Sequence, residues 1–537
     1  MSDCLPYDQT RRFSKLFLDY IKQKQSVQEF YNRFPNPENF KAQIQDKQKN
    51  YQDTHRKILV ETLKQQYQNF SISKSTAHHI ELLERSNTFT ITTGHQLNLF
   101  TGPLYTFYKI ISVINSCQQL QTKYPEYNFV PIFWLASEDH DFEEINHFFY
   151  KDKKIMWPKE TAGAVGEIKN DGLNQVLKEF EKVLPKTKNT DHLIQLFTDA
   201  YLKHKNLSQA SIYLYNELFG EQGLVILEPN HPKLKACFKP YIRTELFQRP
   251  THKKVSDTTH TLLKKNYHQQ VSPREINLFY KNDNLRERLI YKDEKYYVNQ
   301  TELVFTKDEI DKHIDKYPER FSPNALLRPL YQEVLLPNLS YVGGAGELAY
   351  WLQLRSTFKT FGVTFPMLQM RNSVLLVSQK SIKKLKKLNL KTQDLFQSPD
   401  ELENQHIEQV SKIKIDFSPQ KKHLSKQFKN LYELAEKTDK SFLNAVAAQE
   451  KKQHNGLDKL EKRLLKAQKR KMDDETKRVS KLQDKLFPHQ KLQERHVNFF
   501  ELYLSYGKDF KTHLIKALNP FDYQFSIIRL ESKPLSL

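Results

Sequence analysis

The feature that most constrains the fold is a strand–helix–strand pattern between residues 89 and 135. Residues 89–93 are β-branched or aromatic and are followed by Gly94, which is typical of a strand that ends in a turn. Residues 105–120 carry an apolar stripe at helical spacing, with Thr101 as a candidate cap, and residues 129–135 are continuously apolar, as strands buried on both faces are. This order predicts a parallel βαβ unit.

Further strand candidates recur between helical segments, at residues 224–227, 339–342 and 365–369. Interleaved strands and helices predict an α/β sheet covered by helices on both faces. Glycine usage supports this interpretation, because 13 glycines in 537 residues lie far below the usual fraction of about 7%. Few glycines mean few tight turns, which favours long helices over a multi-stranded all-β fold.

The C-terminal third has a different pattern. Residues 418–486 contain no proline after Pro419 and a single glycine, Gly456, and their apolar residues step by threes and fours between charged ones. This pattern predicts a coiled coil or a long helical hairpin, with a break near residues 438–439 or 455–456. Such a stripe either folds back on its own chain or pairs with another subunit.

Charge and cysteine usage narrow the class of protein. The formal net charge of +21 fits a nucleic-acid-binding protein, an enzyme for anionic substrates or a lysine-rich solvated surface. Cys4, Cys117 and Cys237 lie far apart, so neither a disulfide scaffold nor a cysteine zinc site is expected. Because the chain has neither a signal-peptide pattern nor a long apolar stretch, we expect a cytoplasmic protein that does not span a membrane.

The first candidate site follows the first predicted strand, at residues 93–103. Ligands of open α/β sheets bind beyond the carboxyl ends of the strands. Gly94 and Gly102 let the backbone approach a ligand, and the helix N-terminus that follows favours a phosphate or carboxylate. His95 could stabilise charge or shuttle a proton. The alternative is a turn in which His95 and Gln96 only cap the backbone.

The second candidate site follows the second strand and is rich in acids and histidines. Glu138, His140, Glu144 and His147 could supply oxygen and nitrogen ligands to a metal. The same cluster could contain a general base or hold a substrate ammonium group. Acidic residues also favour the first turn of a helix. The sequence leaves metal binding, substrate or acid–base work, and capping open.

The third candidate site spans residues 328–333 and 341–351. Its glycines stand between a strand and a helix, in a turn that suits a phosphate: Gly343, Gly344 and Gly346. Glu347 and Trp351 lie one helical turn apart on one face. Because all three polar clusters follow strands, they predict one shared cleft.

The segments that contain these clusters resemble those of a known family, and the resemblance covers nearly the whole chain in the same order. The segments that carry it are TGHQLNLFTGPLYTFYKIISVI, PIFWLASEDHDFEEINH, SPREINLFYKNDNLRERLIY, LRPLYQEVLLPNLSYVGGAGELAYWLQL, and LFPHQKLQER followed by NFF. They resemble the bacillithiol biosynthesis cysteine-adding enzyme family. The resemblance implies a Rossmann-like core akin to that of class I aminoacyl-tRNA synthetases, two connective insertions, and a C-terminal coiled coil that makes a homodimer.

The predicted fold is therefore α/β, with a Rossmann-like parallel-sheet core, two connective insertions and an α-helical coiled-coil domain. The predicted segments are a helical N-terminal segment packed on the core (1–86), the first part of the core (87–150), a helical insertion (151–222), a core strand and helix (223–250), a mixed insertion (251–325), the last part of the core (326–375), a helical coiled-coil dimerisation arm (376–490) and a C-terminal segment that returns to the core (491–537).

The resemblance also implies a reaction. L-Cysteine is joined to glucosaminyl malate in the last step of bacillithiol biosynthesis, with ATP or ADP as the implied nucleotide and with metal use open. In the synthetase-like superfamily a histidine-bearing turn after the first strand binds the nucleotide phosphates, and the matching turn here holds His95 and Gln96. This turn is not a HIGH tetrapeptide, and no KMSKS sequence follows the last core strand.

Residue roles follow from these clusters and the resemblance. The predicted catalytic residues are His95, Gln96, Glu138, Asp139 and Asp141. The predicted cofactor-binding residues are Thr93, Gly94, Asn98, Thr101, Gly102, Gly343, Gly344 and Gly346. The predicted substrate-binding residues are Tyr105, Lys109, His140, Arg274, Gln332, Glu333, Tyr341, Glu347, Trp351 and Arg371. Lys109, Arg274 and Arg371 are expected to meet the malate carboxylates.

Two rival functions stay open at the level of sequence. One is a nucleic-acid-binding protein with a basic coiled-coil arm, and the other is a non-catalytic scaffold of the thiol pathway. We favour the ligase, with small-molecule substrates and a homodimer, and with neither nucleic acid nor membrane as a partner.

Overall fold

The computed structural model describes residues 2–151 and 153–530. Residues 1, 152 and 531–537, which fall in the predicted N-terminal segment, helical insertion and C-terminal segment, lie outside the described residues. The chain forms two compact units. The larger contains most of the chain up to Leu375 together with Gln493–Ile528, and the smaller is built mainly from Leu376–Leu492.

Strands and helices alternate through the larger unit, whereas the smaller unit is almost entirely helical. The strands are β1 (Ser2–Leu5), β2 (Thr88–His95), β3 (Asn128–Leu135), β4 (His147–Tyr150), β5 (Lys153–Met156), β6 (Val225–Leu227), β7 (Leu278–Asn282), β8 (Leu285–Lys292), β9 (Lys295–Val298), β10 (Val304–Phe305), β11 (Phe321–Pro323), β12 (Asn338–Gly343), β13 (Met367–Met370), β14 (Ser373–Ser378) and β15 (Phe525–Leu530). The α-helices are α1 (Lys15–Ile21), α2 (Phe40–Asn50), α3 (Thr54–Tyr67), α4 (Lys74–Leu82), α5 (Tyr105–Lys123), α6 (Phe142–Ile145), α7 (Leu173–Val183), α8 (Lys188–Leu202), α9 (Leu207–Phe219), α10 (Pro232–Ala236), α11 (Lys239–Gln248), α12 (Pro250–Lys264), α13 (Lys307–Lys316), α14 (Arg328–Leu335), α15 (Ala345–Trp351), α16 (Arg355–Thr360), α17 (Gln379–Lys387), α18 (Pro399–Val410), α19 (Ser418–Ala435), α20 (Lys440–Lys471), α21 (Asp473–Leu486), α22 (Phe499–Tyr506) and α23 (Asp509–Ala517).

The core of the larger unit is a five-stranded parallel sheet in the order β13–β12–β2–β3–β6. Its central strands are buried along nearly their whole length, which explains their continuous apolar sequence. Phe40 and Ile44 of α2 pack in one hydrophobic cluster with Phe89 and Ile91 of β2 and with Val113 of α5. The predicted α/β fold with a Rossmann-like core is confirmed.

The strand order creates a switch point between β2 and β12. From β2 the chain continues to β3 and β6 on one side, and it later returns to β12 and β13 on the other side. The two strands are in register at Thr92 and Tyr341, and the Thr93 hydroxyl donates to the Val342 carbonyl at 2.7 Å. In open α/β sheets, ligands bind beyond the carboxyl ends of the strands at such a point.

A second sheet lies in the stretch of chain between β6 and β12. It has five strands in the order β10–β9–β8–β7–β11, and the pairings are antiparallel. Short hairpins connect β7, β8 and β9, as expected for antiparallel neighbours. We call it the insertion sheet, because its strands β7, β8 and β11 contribute a wall of the candidate site.

The two ends of the described chain meet in the larger unit. β1 pairs antiparallel with β15, from Ser2 opposite Ile528 to Leu5 opposite Phe525. The Leu104 N–H donates to the Val497 carbonyl at 2.9 Å, so the C-terminal segment also reaches the start of α5.

The smaller unit contains the predicted coiled-coil segment. α19 and α20 pack on each other through a small cluster that includes Phe428, Ala435 and Val446. The helical pattern breaks between Ala435 and Lys440, whereas residues 455–456 lie inside α20, so the first of the two break positions is the correct one. The predicted helical coiled-coil domain is confirmed. Within residues 2–151 and 153–530, no helix is both long and apolar enough to cross a lipid bilayer.

Candidate active site

A cavity of about 760 Å³ opens at the switch point. Its walls are the turns after β2, β3 and β12, the first turns of α5 and α14, and parts of the insertion sheet. Its volume lies within the range usual for small-molecule sites. The predicted site residues that line it are Gly94, His95, Gln96, Tyr105, Lys109, Glu138, Asp139, His140, Tyr341, Gly344, Gly346, Glu347 and Arg371.

The turn after β2 faces the cavity only at its beginning. Thr93, Asn98, Thr101 and Gly102 do not line the cavity. Thr101 is fully buried, and within the described chain its hydroxyl has no hydrogen-bond partner, so it does not cap α5 as the sequence predicted.

His95 stands on the cavity wall as a neutral imidazole. Its ring packs edge-on against Tyr105, with the ring centroids 5.1 Å apart, and the Asn98 side-chain nitrogen lies 3.4 Å from its Nε2. Burial, together with the positive charges of Lys109 and Arg371, lowers the pKa of His95 to about 3. At neutral pH the ring therefore offers one N–H donor and one acceptor but no positive charge.

The third cluster forms a closed network around Glu347. Its carboxylate accepts from the Gly344 N–H at 2.8 Å and from the Tyr341 hydroxyl at 2.8 Å, and it pairs with the Lys109 Nζ at 2.6 Å. Lys109 also donates to the Gly94 carbonyl at 2.8 Å. Burial alone would raise the pKa of Glu347, but Lys109 and the other donors lower it to about 2. The carboxylate of Glu347 therefore already balances the positive charge of the Lys109 ammonium group.

Arg371 follows β13 and has an internal carboxylate partner as well. Its Nη2 pairs with the buried carboxylate of Glu494 at 2.7 Å, and its Nη1 donates to the Asn372 carbonyl at 2.8 Å. Its Nε is buried and has no hydrogen-bond partner among residues 2–151 and 153–530. That nitrogen would lie 3.6 Å from a Cβ on Gly344, an ordinary van der Waals distance. We call the region around Lys109, Glu347 and Arg371 the core end of the cavity.

Two further arginines contribute positive charge to the wall. Arg328, at the start of α14, donates to Gln332 Oε1 at 3.0 Å and lies 5.6 Å from the ring centre of Tyr341. No carboxylate of the described chain lies within 4.0 Å of its guanidinium. Arg495 is exposed and also lines the cavity. These cations suit a carboxylate or phosphate.

The turn after β3 places Glu138 on the opposite wall. Both carboxylate oxygens of Glu138 accept from the fully buried Lys235 of α10, at 2.7 and 2.9 Å. Lys235 also donates to the Phe321 carbonyl at 3.1 Å. Burial lowers the pKa of Lys235, and the charge of Glu138 opposes that effect. Lys235 thereby fixes Glu138 at the cavity wall.

Beside Glu138, residues of the β3 turn meet the insertion sheet. Gln96 donates to Asp139 Oδ2 at 2.9 Å, and Arg286 of β8 contacts the Nδ1 of His140 at 2.6 Å. Arg286 lies 4.0 Å from the ring centre of Phe279. Burial and the charge of Arg286 lower the pKa of His140, so this ring is neutral near pH 7. We call the region around Asp139, His140 and Arg286 the insertion end of the cavity.

Several predicted residues lie outside the cavity. Asp141 is exposed and accepts from the Glu144 N–H at 3.2 Å, so it caps α6. Arg274 is exposed and does not reach the wall. Four further predicted residues are buried behind the cavity wall: Gly343, Gln332, Glu333 and Trp351.

Two of these buried residues support the wall from behind. Trp351 stacks on Tyr341 with ring centroids 4.3 Å apart, and Gln332 accepts from Arg328. Glu333 belongs to a separate buried pair with Lys47 at 3.3 Å.

A metal site finds no support in the geometry. Within the described residues, no group of three or more His, Cys, Asp or Glu side chains is arranged to hold a metal ion. Glu138 is bound to Lys235, and the Nδ1 of His147 lies 3.1 Å from the Asn146 side-chain oxygen.

Sequence reasoning missed some residues of the cavity wall. Two arginines that line the cavity were not among the predicted site residues, Arg286 and Arg495, and Arg328 belonged to the third candidate site without an assigned role. All three lie in segments that carry the family resemblance, so that resemblance was the signal that could have found them. Nothing in the sequence around Lys235 distinguishes it from the other lysines of the chain.

The charges of the wall indicate what the cavity can bind. Its cationic side chains are Lys109, Arg286, Arg328, Arg371 and Arg495. Its carboxylates are Glu138, Asp139 and Glu347. Because Lys109 and Arg371 have carboxylate partners inside the protein, the other three arginines and Asp139 are the charges left for ligands. The fold and this cavity define a Rossmann-like α/β protein with a cavity whose charges suit small anionic molecules.

Comparison with known proteins identifies the family. Residues 1–372 match the family described as bacillithiol biosynthesis BshC, N-terminal Rossmann-like domain, and residues 374–530 match its C-terminal coiled-coil domain. A relative from Flavobacterium johnsoniae, named "Putative cysteine ligase BshC", is 51% identical over 98% of this chain and 100% of its own length. Relatives of the same name from Cytophaga hutchinsonii and Bacillus cereus are 37% and 26% identical, over 91% and 95% of this chain and 92% and 97% of their own lengths.

This chain belongs to the BshC family of bacillithiol biosynthesis, and it is a ligase. Among solved structures, one titled as an arginyl-tRNA synthetase of Campylobacter jejuni aligns at 10% identity with a TM-score of 0.21, covering 80% of this chain and 92% of that one. A likeness this weak has no bearing on the fold.

Proposed function

We propose that this enzyme forms an amide bond between L-cysteine and glucosaminyl malate, in the last step of bacillithiol biosynthesis. The names of the relatives support cysteine as a substrate. The observation that carries the proposal is the cavity at the switch point, where unpaired arginines and a carboxylate face one volume. Both reactants carry carboxylates, and cysteine also brings an ammonium group.

Amide formation requires an activated carboxylate, since a free carboxylate does not react with an amine. The buried, unpartnered Nε of Arg371, together with Arg328 and Arg495, fits a phosphate group, and we propose ATP as the activating nucleotide. Bound ATP would supply the leaving group: the cysteine carboxylate would displace pyrophosphate from the α-phosphate. The amine of glucosaminyl malate would then displace AMP, which carries away one carboxylate oxygen. These arginines and His95 would bind the negative charge, since preorganised donors stabilise charge that develops in a transition state.

The neutral state of His95 defines its role. A ring whose pKa is about 3 does not hold a proton at neutral pH, so His95 acts as a hydrogen-bond donor rather than as a cation. Asp139 is the carboxylate of the wall that is left to hold an ammonium group or to accept the proton that the reacting amine releases, since both oxygens of Glu138 are bound to Lys235.

A deletion strain tests the proposed function. Cells without the protein should lose bacillithiol and accumulate glucosaminyl malate. The wild-type gene should restore the thiol, whereas a His95→Ala gene expressed at the same level should restore little of it. Normal bacillithiol in the deletion strain would overturn the assignment.

We further propose that the smaller unit joins two copies of the chain. Large apolar side chains of α19 and α20 remain exposed: Leu431 at 40%, Leu434 at 56%, Phe442 at 47% and Leu460 at 52%. Large apolar side chains left exposed on a helical pair are typical of a surface that another chain covers.

The dimer is testable with matched variants. Replacing Leu460 and Leu464 by Glu would bury charge in the interface, so light scattering should report a monomer. The control replaces the neighbouring exposed residues Lys459 and Arg463 by Glu and should stay dimeric. A stable dimer of the leucine variant would place the interface elsewhere.

A further inference from the structure

The insertion end of the cavity contains opposite charges that are not paired with each other. Arg286 Nη1 lies 2.6 Å from the Nδ1 of His140, and Asp139 Oδ1 lies 3.7 Å from the same nitrogen. Both groups line the cavity. Within the described chain, no carboxylate lies within 4.0 Å of the Arg286 guanidinium.

Burial of Arg286 has a desolvation cost that no ion pair within 4.0 Å in the described chain offsets, although the charges of Glu138 and Asp139 act on it from farther away. The residue is only 8% exposed, and its other polar contacts are neutral, namely the Ser322 hydroxyl at 3.1 Å and the Pro323 carbonyl at 3.4 Å. A buried cation normally has a partner of opposite charge. Here the open side of the group is the cavity, so a ligand can supply that partner.

Asp139 has the complementary arrangement. Its oxygens accept from the Gln96 side chain at 2.9 Å and from the His140 N–H at 2.7 Å, which orients the carboxylate without neutralising it. His140 itself is neutral near pH 7, because burial and the charge of Arg286 lower its pKa.

We propose that Asp139 and Arg286 form a clamp for an α-amino acid zwitterion. Arg286 binds the α-carboxylate, and Asp139 binds the α-ammonium group. The clamp rests on the proposed function, in which the amino acid is L-cysteine. The ring of Phe279, next to both Arg286 and His140, offers an apolar surface that suits a small uncharged side chain.

The clamp divides the cavity between its ligands. Arg286 interacts electrostatically with Glu138 and Asp139, whereas Arg371 interacts with Glu494 and Glu347. The two arginines therefore belong to different clusters. The amino acid occupies the insertion end, and the other anionic group, whether phosphate or malate carboxylate, occupies the core end.

Calorimetric titration of the full-length protein with L-cysteine and its analogues tests the clamp. A non-hydrolysable ATP analogue is present throughout, so that binding is measured without turnover. Arg286→Met should weaken L-cysteine binding at least about tenfold, the scale of one lost charged hydrogen bond, but should change cysteamine binding less than about twofold, because cysteamine lacks the carboxylate. Asp139→Asn should weaken L-cysteine binding to a similar extent. It should leave the binding of 3-mercaptopropionate unchanged, because that analogue lacks the ammonium group.

The controls separate binding from folding. Arg288→Met changes an exposed arginine of the same strand and should bind L-cysteine as the wild type does. Arg286→Lys retains the charge and should lose less affinity than Arg286→Met. If Arg286→Met fails to fold, the wild type alone still decides, because each truncated analogue should bind it at least about tenfold more weakly than L-cysteine.

The outcomes distinguish the clamp from the proposed function. Equal L-cysteine affinity in the wild type, Arg286→Met and Asp139→Asn would overturn the clamp and leave the ligase proposal standing. If L-2-aminobutyrate and L-serine bind as tightly as L-cysteine and depend equally on Arg286, the clamp stands and cysteine specificity fails. Absence of any amino acid binding to the wild type would overturn the clamp.

Discussion

The two ends of the cavity are built in different ways. At the core end, Lys109 pairs with Glu347 and Arg371 pairs with Glu494, so the charges are fixed by partners within the protein. At the insertion end, Arg286 and Asp139 touch the same neutral histidine and have no such partners in the described chain. Folding alone pairs the charges at the core end, whereas a bound ligand can supply partners for the charges at the insertion end.

This difference predicts separable effects of mutation. Changes at the core end should affect stability and activity together, because removing one member of a buried ion pair leaves an uncompensated charge. Changes at the insertion end should affect ligand binding with little loss of stability.

The largest effect should follow from Glu494→Ala. Glu494 is fully buried and is bonded to Arg371, to the Ser373 hydroxyl and to the Val374 N–H. Its removal should lower the free energy of unfolding by about 3–5 kcal/mol, the usual cost of breaking a buried pair. Denaturant unfolding followed by tryptophan fluorescence measures this in the larger unit, where all the tryptophans lie.

Arg495→Ala is the matched control, because Arg495 is adjacent in sequence but exposed. Its unfolding free energy should stay near that of the wild type. If Glu494→Ala also costs less than about 1 kcal/mol, the core end is not held together by this pair.

His95→Ala should separate catalysis from folding. The residue donates to developing charge, so we expect roughly a 10²-fold loss in product formation, the scale of removing one transition-state donor. The thermal midpoint should change little, because His95 lies at the cavity wall rather than in the hydrophobic core. A destabilised variant with wild-type specific activity would end the catalytic role of His95.

Acid stability should report the burial of His95. Its pKa is lowered from 6.5 to about 3 in the folded state, so the unfolded state binds more protons between these values. Stability should therefore fall as the pH drops below about 6.5, by roughly 1–2 kcal/mol from this group at pH 5. The His95→Gln variant should lose correspondingly less free energy of unfolding between pH 7 and pH 5, as measured by denaturant unfolding. Identical losses in both proteins would mean that His95 is not neutralised by burial.

The smallest effect should come from Arg274→Met. Arg274 is exposed and outside the cavity, although the sequence suggested it as a substrate-binding residue. We expect a change of less than about twofold in KM for either substrate, against at least about tenfold in KM for cysteine with Arg286→Met. A large KM effect of Arg274→Met would show that the substrate extends beyond the described cavity.

The sequence predicted the parts of the fold that depend on local patterns. The continuous apolar runs around Phe89 and Phe129 became β2 and β3, since strands buried on both faces need no polar alternation. The polar clusters after three strands also meet at one cavity, because carboxyl ends of parallel strands share an edge.

The features that the sequence could not predict depend on contacts between residues that are far apart in the chain. Which arginine of the second insertion faces the cavity is decided by the fold of the insertion sheet, and it is Arg286 rather than Arg274. The partners of Glu138 and Arg371 are Lys235 and Glu494, each about a hundred residues away in the chain. No local pattern marks such a pair.

Gly102 is a second position at which the residue type suggested a role that the structure explains differently. Gly102 suggested a ligand-binding turn, but its φ is +66° and an added Cβ would lie 2.6 Å from the Asn98 side chain. The packing of the turn therefore accounts for this glycine, as it does for many in left-handed conformations.

Product analysis of the purified protein tests the central claim most directly. The wild-type enzyme is incubated with L-cysteine and glucosaminyl malate, with and without ATP, and bacillithiol is measured by mass spectrometry. The account predicts the amide product, with AMP formed in equal amount, only when both substrates and ATP are present. No product under any of these conditions would contradict the ligase assignment for the isolated protein, and equal product without ATP would contradict activation by the nucleotide.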